Sequence, residues 1–413
     1  MSTALPHDAT PGESLTRRQY RTLVLVLGTM GALGPMTIDT YLPALPHLAE
    51  TLDASTSQAQ LTLSAMMLGM GLGQLAWGPL SDAIGRRKPL LVGLGTHVVA
   101  SVVCGLAPSI GVLLAGRLLQ GLACAAVGVA SQAIVRDLFR GMKAAELLSR
   151  LALVTGLAPI LAPLIGSGLL TFTTWRGVFV VLGVIALLVL FLVRSQLPES
   201  LPSERRIPGS LSSSLAAYRQ VLSDPGFVAV ALTGAMAFTC LFAYVSGSAF
   251  VMQGIFGLSP QLFGVVFASM SVGLSLAAQA NPRVVRRIGP VRALTLGLAT
   301  IVLAAALMLA LAQWQVGGLA GFLAPMFLVM CGLGLSLPNA PAVALHRHGA
   351  RAGTAAALLG ASQFAMGGVV TPLVGALEDG TSRPIPMVIL AAGLVGLATM
   401  LLAGRRLRAE SYD

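Results

Sequence analysis

Apolar residues run along this chain in long stretches, interrupted by short clusters of Gly, Pro and charge. A helix crossing the hydrocarbon core of a bilayer takes about 20 apolar residues. Twelve stretches reach that length, roughly 21–44, 57–80, 89–107, 110–132, 147–171, 175–195, 227–251, 260–281, 292–312, 315–338, 353–376 and 384–404. The pattern predicts an all-α membrane protein of twelve transmembrane helices. Inside the first stretch, GPMTIDTYLPAL at 34–45 places Asp39 where no other formal charge stands between Leu23 and Leu45. An ionised acid taken out of water costs several kcal/mol or more, so it is neutralised, paired or used.

Composition agrees with a membrane protein. The 413 residues are 55% hydrophobic and only 10% charged, where a soluble chain carries about 25%. The net charge of +11 raises the question of a nucleic-acid partner, and its placement answers it. Of 26 Lys and Arg, 23 lie in the two tails or in every second loop; Arg176 and Arg383 lie on the other side and Arg117 lies within a span. By the positive-inside rule both termini are cytoplasmic, which independently requires an even number of spans. The charge records topology, and no nucleic-acid partner is expected.

Cys104, Cys124, Cys240 and Cys331 all fall within spans, with no CxxC pair and no His at zinc-ligand spacing. Neither a disulfide framework nor a metal site is indicated. The apolar run after Arg21 is too long for the apolar core of a signal peptide and reads as an uncleaved first span.

The Ser-, Pro- and Arg-rich stretch 197–226 divides the spans six and six. The organisation expected is a cytoplasmic tail over 1–20, a six-helix half over 21–196, a cytoplasmic linker over 197–226, a second half over 227–404 and a tail over 405–413. Each half has a basic loop after its second span, GPLSDAIGRRKPL and ANPRVVRRIGPVRAL; aligning Gly85 with Gly289 puts Arg286 where Asp82 stands. Two six-span repeats suit a transporter that rocks one half against the other around a midplane site.

These loops carry a resemblance. Gly78-Pro-Leu-Ser-Asp82-Ala-Ile-Gly85-Arg86-Arg87-Lys88 resembles the GxLaDrxGrr signature of the major facilitator superfamily. Its glycines allow a tight turn, and the Asp and Arg can bridge helix ends, with Asp137 as a partner for one arginine. These residues form an expected conformational latch. Arg117-Leu-Leu-Gln120-Gly121 resembles the RxxQG motif of proton-driven exporters, and GLAPILAPLIGSG at 156–168 resembles the antiporter motif, with Pro159, Pro163 and Gly166. It departs from that pattern at Ala158, Ala162 and Ser167. IDTYLPALP at 38–46, AIVRDLF at 133–139, YVSGSAFVMQGIFGLSPQLFG at 244–264 and GLGLSLPNAPAVAL at 332–345 are similar to the drug exporters of the Bcr/CflA type, linked to bicyclomycin and chloramphenicol resistance. The resemblance implies a monomeric, multi-pass inner-membrane antiporter that exchanges protons for small amphipathic drugs, with no cofactor beyond the proton gradient.

Asp39 sits about six residues, roughly 9 Å, from the outer end of the first span, and Arg117 about seven from that of the fourth. Similar depth in one half places them at a single cavity. Asp39 is expected to carry the coupling proton, with Arg117 and Gln120 holding its charged form. Candidate substrate contacts are Tyr41, Phe242, Tyr244, Asn339 and Gln363, in a pocket that Met66, Met67, Met70 and Phe238 would soften. His97, a lone histidine in the third span, is expected to be a hydrogen-bonded structural residue. The second half has no Asp, Glu, Lys or Arg inside its spans, which suits an amphipathic organic cargo. A rival reading exports an endogenous metabolite. A membrane enzyme would cluster ionisable residues at one depth, and a non-transporting sensor would be expected to carry a sizeable soluble domain; neither pattern is present.

Overall fold

A computed structural model describes residues 16–206, 211–346 and 348–410; the rest of the expected tails and linker lies outside the described residues. Twelve helices among them have spanning length: α1 Arg17–Asp39, α3 Thr56–Ile84, α4 Arg87–Gly105, α5 Ile110–Leu138, α6 Gly141–Leu169, α7 Trp175–Gln196, α9 Pro225–Ala249, α10 Pro260–Ile288, α11 Pro290–Gln313, α12 Gly318–His346, α13 Ala352–Ala376 and α14 Pro384–Glu410. Two more are short, α2 Leu45–Thr51 and α8 Leu211–Leu222. Eleven of the spanning segments contain a membrane-length window that is apolar on average. The twelfth, α3, has the length, and Gln58, Gln60 and Gln74 temper its hydropathy.

Helix starts follow local chemistry. Thr16 with Gln19 and Ser55 with Gln58 form capping boxes, while Asp224 and Ser259 cap α9 and α10 ahead of Pro225 and Pro260. The first span departs from the expected 21–44. Helix α1 ends at Asp39, and the chain continues through a 3-10 turn at Leu42–Ala44 into α2. Pro43 and Pro46 have no N–H to return to the preceding turn, so a continuous helix cannot be closed there. Asp39 is thus the last residue before a break within a 35-residue helical run. The corresponding span of the second half also breaks, with a π-helical turn at Phe250–Ile255 continuing from α9.

Small residues bring the helices together. A Cβ at Gly121 would lie 2.0 Å from the Met66 carbonyl oxygen and one at Gly69 would lie 2.2 Å from that of Leu118, so α3 and α5 touch backbone to backbone. Leu25, Val99, Leu188 and Leu303 are among the large apolar side chains left exposed, as a lipid-facing surface requires.

The two halves meet along α3 with α13 and α6 with α10. Hydrogen bonds across this seam concentrate toward the end opposite the basic loops. Gln60 Nε2 donates to Ser246 O (3.2 Å) and Gln60 Oε1 accepts from the Gly375 N–H (2.8 Å). Gln253 Nε2 donates to Pro43 O (3.0 Å), and Ser57 Oγ donates to Pro372 O (3.1 Å). These bonds tie the two halves together at the far end.

Candidate functional site

Arg117 on α5 is fully buried. Its Nη1 donates to Gln120 Oε1 (2.8 Å) and Thr37 O (3.1 Å), and its Nε donates to Thr62 O (3.4 Å). The Thr37 carbonyl is available because α1 stops two residues later; the last carbonyls of a helix need outside donors. The approach to Thr62 follows from the glycine contact of α5 with α3 described above. Tyr41 lies over the guanidinium, 4.3 Å from its ring centroid, with Phe179 at 5.7 Å. Tyr41 Oη also shares a 3.0 Å hydrogen bond with Thr62 Oγ1. Every partner of this buried cation is a neutral group.

Asp39 is the only aspartate or glutamate in the buried class among the described residues. It does not pair with Arg117, contrary to the single cavity expected from their similar depth. Residues two apart on a helix point about 200° apart. Thr37 offers both its carbonyl and its hydroxyl to the interior of the first half, so Asp39 turns the other way. There it comes within electrostatic reach of Tyr244 on α9 of the second half. Depth along a sequence does not carry angle around a helix, and the proline-induced break altered both.

The candidate substrate residues separate in the same manner. Tyr41 is fully buried and packed against Arg117 and Phe179. Phe242 packs on Phe238, which meets Phe364 edge-on, and Tyr244 stacks on Phe267 with its hydroxyl buried and without a hydrogen-bond partner. Asn339 is committed to Asn281, its Nδ2 donating to Asn281 Oδ1 at 2.7 Å. Gln363 is half-buried beside Gly234. Met67 reaches Gly367 and Thr371 of α13 across the seam.

The basic loop of the first half is tightly organised. Gly85 has φ +95°, and a Cβ there would lie 2.5 Å from Glu199 Oε2. That carboxylate accepts from the backbone N–H groups of Arg86 (2.8 Å), Arg87 (3.1 Å) and Leu201 (3.1 Å), covering the start of α4. Arg86 donates to Asp82 Oδ1 (2.5 Å), Asp137 Oδ2 (2.9 Å) and Ser81 Oγ (3.1 Å), while Ser200 Oγ also donates to Asp137 (3.1 Å). Arg87 turns to the Arg194 carbonyl (2.7 Å). The cluster joins the ends of α3, α4, α5 and α7 within one half. Burial works to raise the Glu199 carboxyl, but the three backbone donors and the Arg206 charge outweigh it and hold Glu199 below its ordinary 4.5.

Helix α6 uses its prolines across the seam. Pro163 has no N–H, which leaves the Pro159 carbonyl free, 3.3 Å from Ser271 Oγ of α10, a hydroxyl it shares with Phe267 O (3.1 Å). A Cβ at Gly166 would lie 1.8 Å from the Thr40 carbonyl oxygen, so this glycine seats the broken end of α1. The same device holds the linker: Pro79 frees the Leu75 carbonyl, which accepts from Tyr218 Oη of α8 (2.8 Å).

Sequence reasoning missed Thr37, Thr62, Ser101, Glu199 and Ser271. Two of these act through backbone carbonyls, which no side-chain pattern announces. Glu199 was visible as an acid between α7 and the basic linker, but its target is a set of N–H groups.

The profile of the Major Facilitator Superfamily matches residues 27–372. The bicyclomycin resistance protein homolog of Haemophilus influenzae is 32% identical over 394 residues, spanning 94% of this chain and 97% of that one. A chloramphenicol resistance protein of Pseudomonas aeruginosa is 31% identical over 380 residues, 91% of this chain and 88% of that one. The crystal structure of a D-xylose-proton symporter superposes with a TM-score of 0.76 over 93% of this chain and 97% of its own at 15% identity, a likeness of fold.

Proposed function

The chain belongs to the Major Facilitator Superfamily, and from that membership we propose that it is a proton-coupled antiporter exporting amphipathic drugs of the chloramphenicol and bicyclomycin kind from the cytoplasm. It is a multi-pass transporter of the inner membrane, not an enzyme. The observation that carries the proposal is the placement of Asp39: a buried carboxylate at the break of α1, turned toward the second half, with Arg117 held on the opposite side of the same helix. A carboxylate without a cation must find compensation, from a proton, from a cationic or hydrogen-bonding cargo, or from Arg117 after α1 rearranges.

In the proposed cycle Asp39 takes a proton from outside and releases it to the cytoplasm, while cargo moves the other way. Arg117, held by the Gln120 amide oxygen, is the counter-charge toward which an ionised Asp39 is drawn. The uncharged, aromatic wall of Phe238, Phe242, Tyr244 and Phe364 favours an amphipathic cargo over a highly charged metabolite. By the charge rule the basic loops face the cytoplasm, so the hydrogen-bonded far end of the seam faces outward. The loop cluster around Arg86 holds the helix ends that move together in the rocking step.

The test is drug-triggered proton movement in proteoliposomes with a pH dye. The native protein is expected to give flux that depends on added chloramphenicol or a related amphipathic drug. Asp39→Asn is expected to abolish it. Full drug-dependent flux in Asp39→Asn would remove Asp39 from the coupling step. Folded native protein with no flux for any drug would turn the assignment to a dedicated metabolite exporter.

A further inference from the structure

Five polar side chains close a ring behind the broken end of α1, and all five are fully buried. Arg117 Nη1 donates to Gln120 Oε1 (2.8 Å), and Gln120 Nε2 donates to Ser101 Oγ (2.9 Å). Ser101 Oγ lies 2.8 Å from His97 O and 3.3 Å from His97 Nδ1, and His97 Nε2 lies 3.0 Å from Thr37 Oγ1. The Thr37 carbonyl returns to Arg117 at 3.1 Å. The ring joins α1, α4 and α5.

The atoms assign directions. Thr37 Oγ1 donates to Leu33 O (2.6 Å), so toward His97 it can only accept, and His97 Nε2 carries the hydrogen. Nδ1 then faces the Ser101 hydroxyl. From α5 the groups around His97 and Thr37 are Arg117 and the Cys124 thiol, 4.0 Å from Thr37 Oγ1. From α7, Gly183 closes on Ser101 without a side chain of its own. Thr37 is the one place where the ring grips α1. It does so with the hydroxyl held by His97 and the carbonyl held by Arg117, so the last turn of α1 is fixed in rotation by two bonds from one residue.

We propose that His97 is a positioning residue: by holding Thr37 it sets the angle of the last turn of α1 and thereby keeps Asp39 facing the second half, away from Arg117. Bringing Asp39 to Arg117 requires that turn to rotate, and rotation breaks the His97–Thr37 bond. The ring is the element that decides how the acid and the cation of the first half communicate. This rests on the reading that Asp39 exchanges a proton with water.

The experiment is the pH profile of carbodiimide labelling of Asp39 in the purified full-length protein, the site being identified by its loss in Asp39→Asn. It needs neither cargo nor flux, so it can fail while drug–proton exchange stands, and it can succeed where no drug drives flux. His97→Leu and Thr37→Val each remove the same bond. Each is expected to displace the profile by about half a pH unit or more, by equal amounts, and the double variant by no more than either. His97→Gln, which carries an N–H at the reach of Nε2, is expected to keep the native profile. A native profile in both single variants overturns the proposal, as does additivity in the double variant or a His97→Gln profile displaced as far as that of His97→Leu. Thr37→Val is nearly isosteric and decides the matter if His97→Leu fails to fold.

Discussion

The loops after α3 and after α10 occupy equivalent places in the two halves and share a backbone, yet only one holds its arginines. Gly85 and Gly289 both have positive φ, +95° and +79°, and both end a 29-residue helix before the next one begins. In the first half Arg86 is buried between Asp82 and Asp137, and Glu199 fills the space beside Gly85. In the second half nothing lies within 4 Å of a Cβ built on Gly289. Arg283, Arg286, Arg287 and Arg292 are exposed there and make no ion pair among the described residues. The turn is a backbone property that glycine alone preserves; the cluster is side-chain chemistry that needs acids from three other segments. The interiors differ in the same sense. The first half buries Asp39, His97 and Arg117, while the second buries the neutral pair Asn281–Asn339. Charge is concentrated where α1 breaks, and the second half supplies an uncharged wall.

Substitutions can break this contrast. The largest effect on stability is expected from Gly85→Ala. It forces a side chain into left-handed backbone, about 1–2 kcal/mol, and displaces the Glu199 carboxylate as well, for a total of about 2–4 kcal/mol. Gly289→Ala meets only the backbone term, so thermal unfolding in detergent should separate the two; equal losses would mean that the Glu199 contact adds nothing. Next is Arg86→Ala, which leaves a half-buried Asp137 with the Ser200 hydroxyl but without its cation and should cost about 1–3 kcal/mol, against less than about 0.5 kcal/mol for Arg286→Ala at an exposed site. The same unfolding series reads both.

Much of this was legible in the sequence, and the exceptions have a common cause. Runs of apolar residues gave twelve long helices, since length and hydropathy are one-dimensional properties and α3 alone strays toward polarity through its glutamines. The Asp82–Arg86–Asp137 cluster was legible because charged residues near helix ends have few places to go. Asp39 was found, but its direction was not: Pro43 and Pro46 ended α1 earlier than hydropathy suggested, and two residues of helix turned the acid away from Arg117. Tyr41 was read as a substrate contact from its aromatic ring, and its place over the Arg117 guanidinium was not legible. The carbonyls of Thr37, Pro159 and Leu75, freed by a helix end or by a proline, hold α1, α6 and the linker helix to their neighbours. Backbone acceptors have no letter in the sequence; only the proline four residues on hints at two of them.

The smallest expected effect sharpens the comparison through pH. Glu199 is held below its ordinary 4.5 in the folded protein. A carboxyl depressed by folding adds stability that is fully present above its unfolded value and is lost as pH falls through the folded one. The first-half cluster should therefore hold at neutral pH and weaken as the solution is acidified below about 4.5. Because Glu199 is partly exposed, solvent screens the effect and a shift of a few degrees in the unfolding midpoint is the scale to expect. Glu199→Gln retains an acceptor oxygen for one N–H group but has no carboxylate to titrate. Its midpoint should already be lower at pH 7 and should approach the native one as both are acidified. The second-half loop has no counterpart acid, so Arg286→Ala should leave the acid limb of the native curve in place. Parallel native and Glu199→Gln curves from pH 7 to 4 would show that the start of α4 is held by its backbone turn and not by the Glu199 charge.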